Sequence, residues 1–173
     1  YKVPVTELIG QRLAVTLPLA IGAMVVATLS ALTLGIFAAT HHNRVGDYGV
    51  MGFSQLGLAI PDFWFGILLI ILFAVILRWL PSGGFPGWDE GLWRGVRSLM
   101  LPVFTLSLSL TAIMTRVTRS AVLEVAREDY VRTARAKGLS KVRVVLRHAL
   151  PNALLPIIAM IGIDIGIFMS GIV

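Results

Sequence analysis

The chain contains no cysteine, and only 14% of its 173 residues are charged. The absence of cysteine excludes a disulfide framework and a thiolate metal site within this sequence. The low charge excludes an ordinary soluble domain, in which about a quarter of the residues are charged. Because 57% of the residues are hydrophobic, lipid is the simplest solvent for the surface of this chain. The composition therefore predicts an integral membrane protein.

Four stretches are long enough to cross a bilayer, for which an α-helix needs about 20 apolar residues. They cover residues 13–39, 49–77, 98–115 and 149–173. Their length predicts an all-α fold, because a helix satisfies its own backbone hydrogen bonds in lipid. We expect residues 1–173 to be one partial transmembrane domain within a longer polypeptide, since the last apolar stretch runs to Val173.

Basic residues are divided unevenly between the two sides of the membrane. With an even number of spans, one side would hold five of them and the other ten. The larger group consists of Arg44 and the nine basic residues between Arg116 and Arg147. Because cytoplasmic loops carry an excess of lysine and arginine, the pattern predicts that the loop 116–148 is cytoplasmic. A short amphipathic segment over residues 4–12 would lie at the outer interface.

Part of this loop carries the signals that begin and end a helix. The acids suited to a helix N-terminus and the bases suited to its C-terminus are Glu128, Asp129, Arg135 and Lys137. Gly138 follows, where a left-handed residue would end the helix, and Ser140 can cap a second helix. We therefore expect two short helices joined at Gly138. A basic surface that binds anionic lipid headgroups is the alternative interpretation.

The spacing in this loop resembles the EAA loop of ABC importer permeases. That motif has the form EAA, three residues, Gly, nine residues, Ile, any residue, Leu-Pro. Here Gly138 is followed, after nine residues, by HALP over residues 148–151, and RTA over residues 132–134 occupies the EAA positions. The stretch DYVRTARAKGL over residues 129–139 is similar to the dipeptide, oligopeptide and nickel branch of these permeases.

A second resemblance lies in the second span. The sequence AIPDFWFG over residues 59–66, with WLP over residues 79–81, resembles the first, B-type permease subunit of such systems. Their motif usually has an uncharged residue where this chain has Asp62. The resemblance implies a type I ABC importer transmembrane domain, with four of an expected six spans and cytoplasmic coupling helices. It also implies a multi-pass protein of the bacterial inner membrane.

The same resemblance implies the function and the partners. The chain would form half of the pathway of an ATP-driven importer of dipeptides or oligopeptides, surrounded by membrane lipid. Its partners would be a second permease subunit, two cytoplasmic ATPase subunits and an extracytoplasmic solute-binding protein. It would be no enzyme and would hold no cofactor, since ATP and magnesium would bind the ATPase subunits. The residues expected to contact an ATPase are Glu128, Asp129, Tyr130, Arg132, Thr133, Ala134, Arg135, Ala136, Lys137, Gly138 and Leu139.

Two acidic residues, Asp62 and Asp164, lie within the expected spans. An acid at the centre of a membrane helix costs about 2.5–3.5 kcal/mol on insertion scales. Two interpretations follow from that cost. In the first, the acids line the aqueous pathway and meet the N-terminal amine of a peptide. In the second, they hydrogen-bond to another helix of the protein or lie close enough to water for the cost to be small.

Other functional classes have less support in the residues. A channel or secondary carrier, which needs no ATPase, is the alternative, and it would place more charge within its spans. For a membrane-bound enzyme, the sequence offers no nucleophile–base–acid set and no phosphate-binding glycine loop. His41 and His42 are adjacent without a third ligand nearby, so no metal is expected. Nucleic-acid binding is not expected, because the basic residues alternate with apolar helix faces.

Overall fold

The computed structural model describes residues 5–169, including all their side chains except those of residues 5–9, 11, 141 and 169. Within this range all regular elements are helices and there is no β-strand. The helices are α1 (Val5–Thr40), α2 (Val45–Ala59), α3 (Asp62–Leu69), α4 (Leu92–Val125), α5 (Asp129–Ala136), α6 (Lys141–Val144) and α7 (Leu150–Met169). Two π-helical turns extend them: Ile70–Ile76 continues α3, and Val145–Ala149 joins α6 to α7.

Among the described residues, three helical stretches have the length and apolar composition of a membrane span: Arg12–Thr40, Leu92–Val125 and Val142–Phe168. A fourth is present if α2 and α3, with its π-helical turn, are counted as one broken span. The expected span 149–173 continues beyond residue 169, so its end lies outside the described range.

The expected second span, 49–77, is not one continuous helix. It is interrupted at Pro61, which has extended backbone angles (φ −63°, ψ 136°) and stands at the N-cap of α3. Proline cannot donate a backbone hydrogen bond and disfavours helical geometry in the residue before it. The break therefore follows from a single residue within an otherwise apolar stretch.

The boundaries of the expected cytoplasmic loop, 116–148, also differ from the structure. Helix α4 continues without a break to Val125, so the first ten residues of that loop are helical. At the other end, the second short helix continues through the π-helical turn into α7. The described part of the segment 4–12 is likewise the beginning of α1. The connection between the two long helices is therefore shorter than expected and contains one separate helix, α5.

The chain divides into two compact units. The first comprises the described residues up to Val26 together with Ile60–Ser109, and the second comprises Ala27–Ala59 together with the described residues from Leu110. In the first unit, the indole Nε1 of Trp88 donates a 3.0 Å hydrogen bond to the carbonyl of Ala14. This bond fixes the irregular segment before α4 against the beginning of α1.

Small residues allow close helix packing in the second unit. One core cluster consists of Ala27, Ala31, Met114 and Ile157, and another of Ala39, Ala121, Val122, Val145 and Ala153. A Cβ atom at Gly35 would lie only 2.6 Å from the Cβ of Thr118. Helices α1 and α4 therefore approach each other there at a distance that only glycine permits.

Candidate coupling interface

Helix α5 begins where the sequence predicts. Glu128 precedes it with extended backbone angles (φ −63°, ψ 146°) and no side-chain cap. Its carbonyl accepts hydrogen bonds from the backbone N–H groups of Val131 and Arg132, each at 3.0 Å. Asp129 lies in the first turn and Arg135 in the last. Both charges are placed favourably with respect to the helix dipole.

Gly138 ends the segment in the left-handed conformation, with φ +81°, which confirms the prediction made from its position. Its N–H donates to the carbonyl of Arg135 at 2.9 Å, which satisfies one of the free carbonyls at the end of the helix. A Cβ atom at this position would meet nothing within 4 Å. A side chain at Gly138 would therefore strain the backbone without colliding with its surroundings.

One face of α5 is buried within the second unit. Val131 is completely buried, and Ala134, one turn later, is 6% exposed. Both form a cluster with Val144 of α6, and the partly buried Val125 and Leu139 pack against it. The end of α4 and the short helix α6 thus contact the apolar face of α5. Because these contacts are apolar and closely packed, α5 is held as a stiff element.

A hydrogen bond connects α5 to the start of α7. The side-chain amide of Asn152 donates to the hydroxyl of Tyr130 at 2.6 Å. Tyr130 stands in the first turn of α5, next to the buried Val131. The bond therefore restrains rotation of α5 about its own axis, which apolar packing alone controls less strictly.

The other face of α5 is exposed and charged. It presents Asp129, Arg132 and Arg135, and the exposed Lys137 follows as the C-cap residue. Arg132 and Asp129 are 3.6 Å apart, with side chains 72% and 97% exposed. An ion pair so open to solvent contributes little to stability, so these charges are available to a partner. The remaining expected contact residues, Thr133 and Ala136, are exposed as well, whereas Ala134 and Leu139 pack inward.

The second unit also contains an ion pair that sequence reasoning missed. Asp47, 1% exposed, accepts from Arg119 at 2.5 Å (Nε to Oδ1) and 2.7 Å (Nη2 to Oδ2). The backbone N–H of Asn43 donates to the same carboxylate at 3.0 Å. His42 lies within 3.2 Å of it. This bidentate pair fixes the turn between α1 and α2 to α4, six residues before α4 ends.

The two acids expected along the pathway belong to different units. Asp62, in the first unit, is exposed at the first turn of α3 and accepts a hydrogen bond from the hydroxyl of Ser109 on α4. Asp164, in the second unit, has one carboxylate oxygen that is buried without a hydrogen-bond partner among the described residues. Asp62 therefore makes the helix-to-helix hydrogen bond of the second interpretation, and a role in the pathway stays a prediction for both.

His41 and His42 do not assemble with a third ligand. His42 faces the carboxylate of Asp47 and the guanidinium of Arg119, whereas His41 contacts Thr40 and the carbonyl of Phe37. Among the side chains that the structure describes, no group of three histidine, aspartate or glutamate residues is arranged to hold a metal ion.

Comparison with known proteins identifies the family. The model of the binding-protein-dependent transport system inner membrane component matches residues 31–173, which is most of the chain. The chain belongs to this family. Its members are the transport components of the inner membrane, and this membership together with the helical structure confirms the expected all-α membrane fold of a type I importer. The ATPase-contact residues carried over from the family resemblance stay predictions.

Several curated relatives of this transport family are similar over almost the whole chain. The oligopeptide transport system permease protein AppB of Bacillus subtilis is 41% identical over 97% of this chain and 54% of its own length. The di/tripeptide transport system permease protein DppB of Pseudomonas aeruginosa is 41% identical over 91% of this chain and 53% of its own length. The glutathione transport system permease protein GsiC of Salmonella choleraesuis is 40% identical over 97% of this chain and 52% of its own length. The chain spans about half the length of these relatives.

Proposed function

We propose that this chain is part of the permease subunit of an ATP-driven peptide importer, and that α5 is its contact with a cytoplasmic ATPase. The observation that carries the proposal is the division of α5 into a buried apolar face around Val131 and an exposed charged face around Arg132 and Arg135. Coupling needs a stiff element whose contact with a partner differs between two global states. Helix α5 has the anchorage and the free charges for that role.

The proposed substrates are short peptides. The curated relatives are named for oligopeptides, for di- and tripeptides and for glutathione, and these compounds share a short peptide backbone with free charged ends. A second permease subunit, a solute-binding protein on the outer side and two ATPase subunits complete the proposed assembly. ATP and magnesium would bind the ATPase subunits.

The proposal is tested on the full-length permease expressed with the other proposed subunits of its transport system. Residues 128–139 are replaced by a glycine-serine linker of equal length, and the permease is purified through an affinity tag. We expect the ATPase subunits to co-purify with the parent permease and to be lost from the variant. Retention of the ATPase subunits by the variant would overturn the role of α5. Peptide transport by the permease alone in liposomes would favour a carrier.

A single substitution separates coupling from assembly. Gly138→Val forces a β-branched residue into a left-handed conformation, at a cost of roughly 1–2 kcal/mol, while a Cβ atom there meets nothing within 4 Å. We expect normal membrane insertion and ATP hydrolysis that no longer drives uptake. The control is Gly138→Asn, because asparagine tolerates this conformation, and it should retain uptake. Normal uptake by Gly138→Val would contradict the proposed role.

The two acids of the expected spans are tested separately. Asp62→Asn removes the charge and keeps an acceptor for the hydroxyl of Ser109. Asp164→Asn removes the charge from the largely apolar helix α7. If either acid meets the N-terminal amine of a peptide, its variant should slow the uptake of free peptides only. An equal effect on peptides with a free amine and with a neutral amine analogue would leave that acid with a structural role.

A further inference from the structure

The second unit contains a cavity that no part of the coupling element uses. Its volume is about 400 Å³, within the range of about 300–1,000 Å³ that small-molecule sites occupy. It is lined by Arg116, Val117, Ser120 and Glu124 of α4, together with Leu58 of α2 and Pro156 of α7. The cavity is thus a groove between three helices of one unit.

The polar residues of this groove follow one another at a regular spacing. Arg116, Ser120 and Glu124 are four positions apart, so they lie along one broad face of α4. Eight residues of α-helix rise about 12 Å, so the backbone positions of Arg116 and Glu124 are that far apart along α4. In the part of the chain that the structure describes, neither Arg116 nor Glu124 forms an ion pair.

The charges of the groove match the two ends of a short peptide. An extended chain spans at most about 3.3–3.6 Å for each residue, so three residues cover about 10–11 Å. A tripeptide with free ends therefore has a length close to the separation of the Arg116 and Glu124 backbone positions on α4, so that side chains from these two positions can reach its two ends. The guanidinium can bind a carboxylate through two parallel hydrogen bonds, and Glu124 can accept from the ammonium.

The walls between the two charges suit variable side chains. Leu58, Val117 and Pro156 present apolar surface without a fixed hydrogen-bonding pattern, and apolar walls discriminate only weakly between side chains. Ser120, midway, can bond to a peptide group of any residue. Such a groove recognises the ends and the length of a peptide more strictly than its sequence.

We propose that this groove is a binding site for short peptides with free termini, with Arg116 binding the carboxylate and Glu124 binding the ammonium. The inference rests on the proposed function, whose substrate it describes in more detail. Because Arg116 and Glu124 stand in the half of α4 that leads to α5, the site lies on the part of the pathway nearest the coupling helix along the chain.

The absence of native cysteine in this sequence allows a direct test by thiol protection. Ser120→Cys is introduced into the full-length permease in its assembled complex, after any cysteine elsewhere in the complex has been replaced. The rate of labelling by a water-soluble maleimide is measured without nucleotide, with and without trialanine. Gln55→Cys is the matched control, since Gln55 is exposed on α2 of the same unit and does not line the groove.

We expect trialanine to slow labelling at Ser120→Cys and to leave Gln55→Cys unaffected. Blocking one end of the peptide, in trialanine amide or N-acetyl-trialanine, should raise the half-protecting concentration about ten- to a hundredfold, as loss of a charged hydrogen bond does. Arg116→Gln should weaken protection by trialanine to the same extent and have no further effect with the amide. Glu124→Gln should likewise weaken protection by trialanine and have no further effect with N-acetyl-trialanine. Arg116→Lys should retain most of the protection.

Three results would overturn the site: no protection by any peptide, protection that is indifferent to blocked ends, or a thiol that is inaccessible because another subunit fills the groove. Equal protection by glycerophosphoethanolamine would also overturn it, since the groove would then recognise a lipid headgroup. ATP-driven uptake of trialanine by the parent complex without the Ser120→Cys substitution, measured in proteoliposomes, separates the two proposals. Uptake without protection would overturn only the proposed peptide site in the groove, whereas absence of ATP-driven peptide uptake would overturn the proposed function.

Discussion

Two ion pairs in the second unit have the same chemistry and opposite surroundings. Asp47 and Arg119 form a bidentate pair in which the aspartate is 1% exposed, whereas Asp129 and Arg132 lie 3.6 Å apart on the open surface of α5. A buried charge is costly unless it is paired, and an exposed charge is solvated whether it is paired or not. The first pair therefore belongs to the structure, and the second is free to engage another protein.

The largest effect on stability is expected at the buried pair. Asp47→Ala leaves the guanidinium of Arg119 largely enclosed without its carboxylate, which costs about 3 kcal/mol when one partner of a buried pair is removed. The apparent unfolding temperature of the detergent-purified permease should fall clearly. Arg119→Leu in the same chain should restore much of the loss, because the uncompensated charge is then gone. Equal stability of Asp47→Ala and the parent would show that this pair contributes as little to stability as an exposed pair.

A smaller effect is expected where α1 and α4 approach each other. Gly35→Ala places a Cβ atom 2.6 Å from the Cβ of Thr118, and overpacking of this kind costs about 1–3 kcal/mol. Gly162→Ala is the matched control, because a Cβ there meets nothing within 4 Å. Thermal unfolding should separate the two variants, and identical curves would show that the helices can move apart without cost.

Tyr130→Phe removes the hydrogen bond from Asn152 and keeps the aromatic ring. The expected loss of stability is about 0.5–1.5 kcal/mol, the usual contribution of one hydrogen bond. Because this bond restrains the rotation of α5, we expect more ATP to be hydrolysed for each peptide transported. An unchanged ratio of ATP hydrolysed to peptide transported would assign the bond to local stability alone.

The smallest effect on stability is expected at the exposed pair. Arg132→Ala should change the unfolding free energy by less than about 1 kcal/mol, and Arg94→Ala, which breaks the exposed pair with Glu90 in the first unit, should do the same. The two variants should differ in binding. Arg132→Ala should weaken co-purification of the ATPase, and Arg94→Ala should not. Equal ATPase binding by both would make Arg132 an ordinary surface charge.

The local features of α5 could be read from the sequence because their causes are local. Helix-starting acids, a left-handed glycine and apolar residues at helical spacing act over a few residues, so α5 and the conformation of Gly138 follow from short patterns. The boundaries of α4 did not follow, because Arg116 and Arg119 suggested the end of a span. The continued spacing of Val117, Ala121 and Val122 was the available signal that the helix extends further.

The buried pair could not be predicted, since 72 residues separate Asp47 from Arg119 along the chain. Nothing in either neighbourhood distinguishes a paired acid from a solvated one until the packing of the helices is known. The break at Pro61 could be predicted only in part. A proline within an apolar stretch indicates a kink, but the extended conformation of the residue decides that the helix ends there.

The central claim, that the exposed face of α5 contacts an ATPase, is tested most directly by site-specific crosslinking. Arg135→Cys, on the exposed face, is compared with Gln55→Cys, on an exposed part of α2, in the assembled complex with a short bifunctional thiol reagent and one cysteine on the ATPase surface. We expect a permease–ATPase crosslink from position 135 whose yield changes when nucleotide binds, and none from position 55. Equal yields from both positions, or none from position 135 in a complex that transports peptide, would contradict the account.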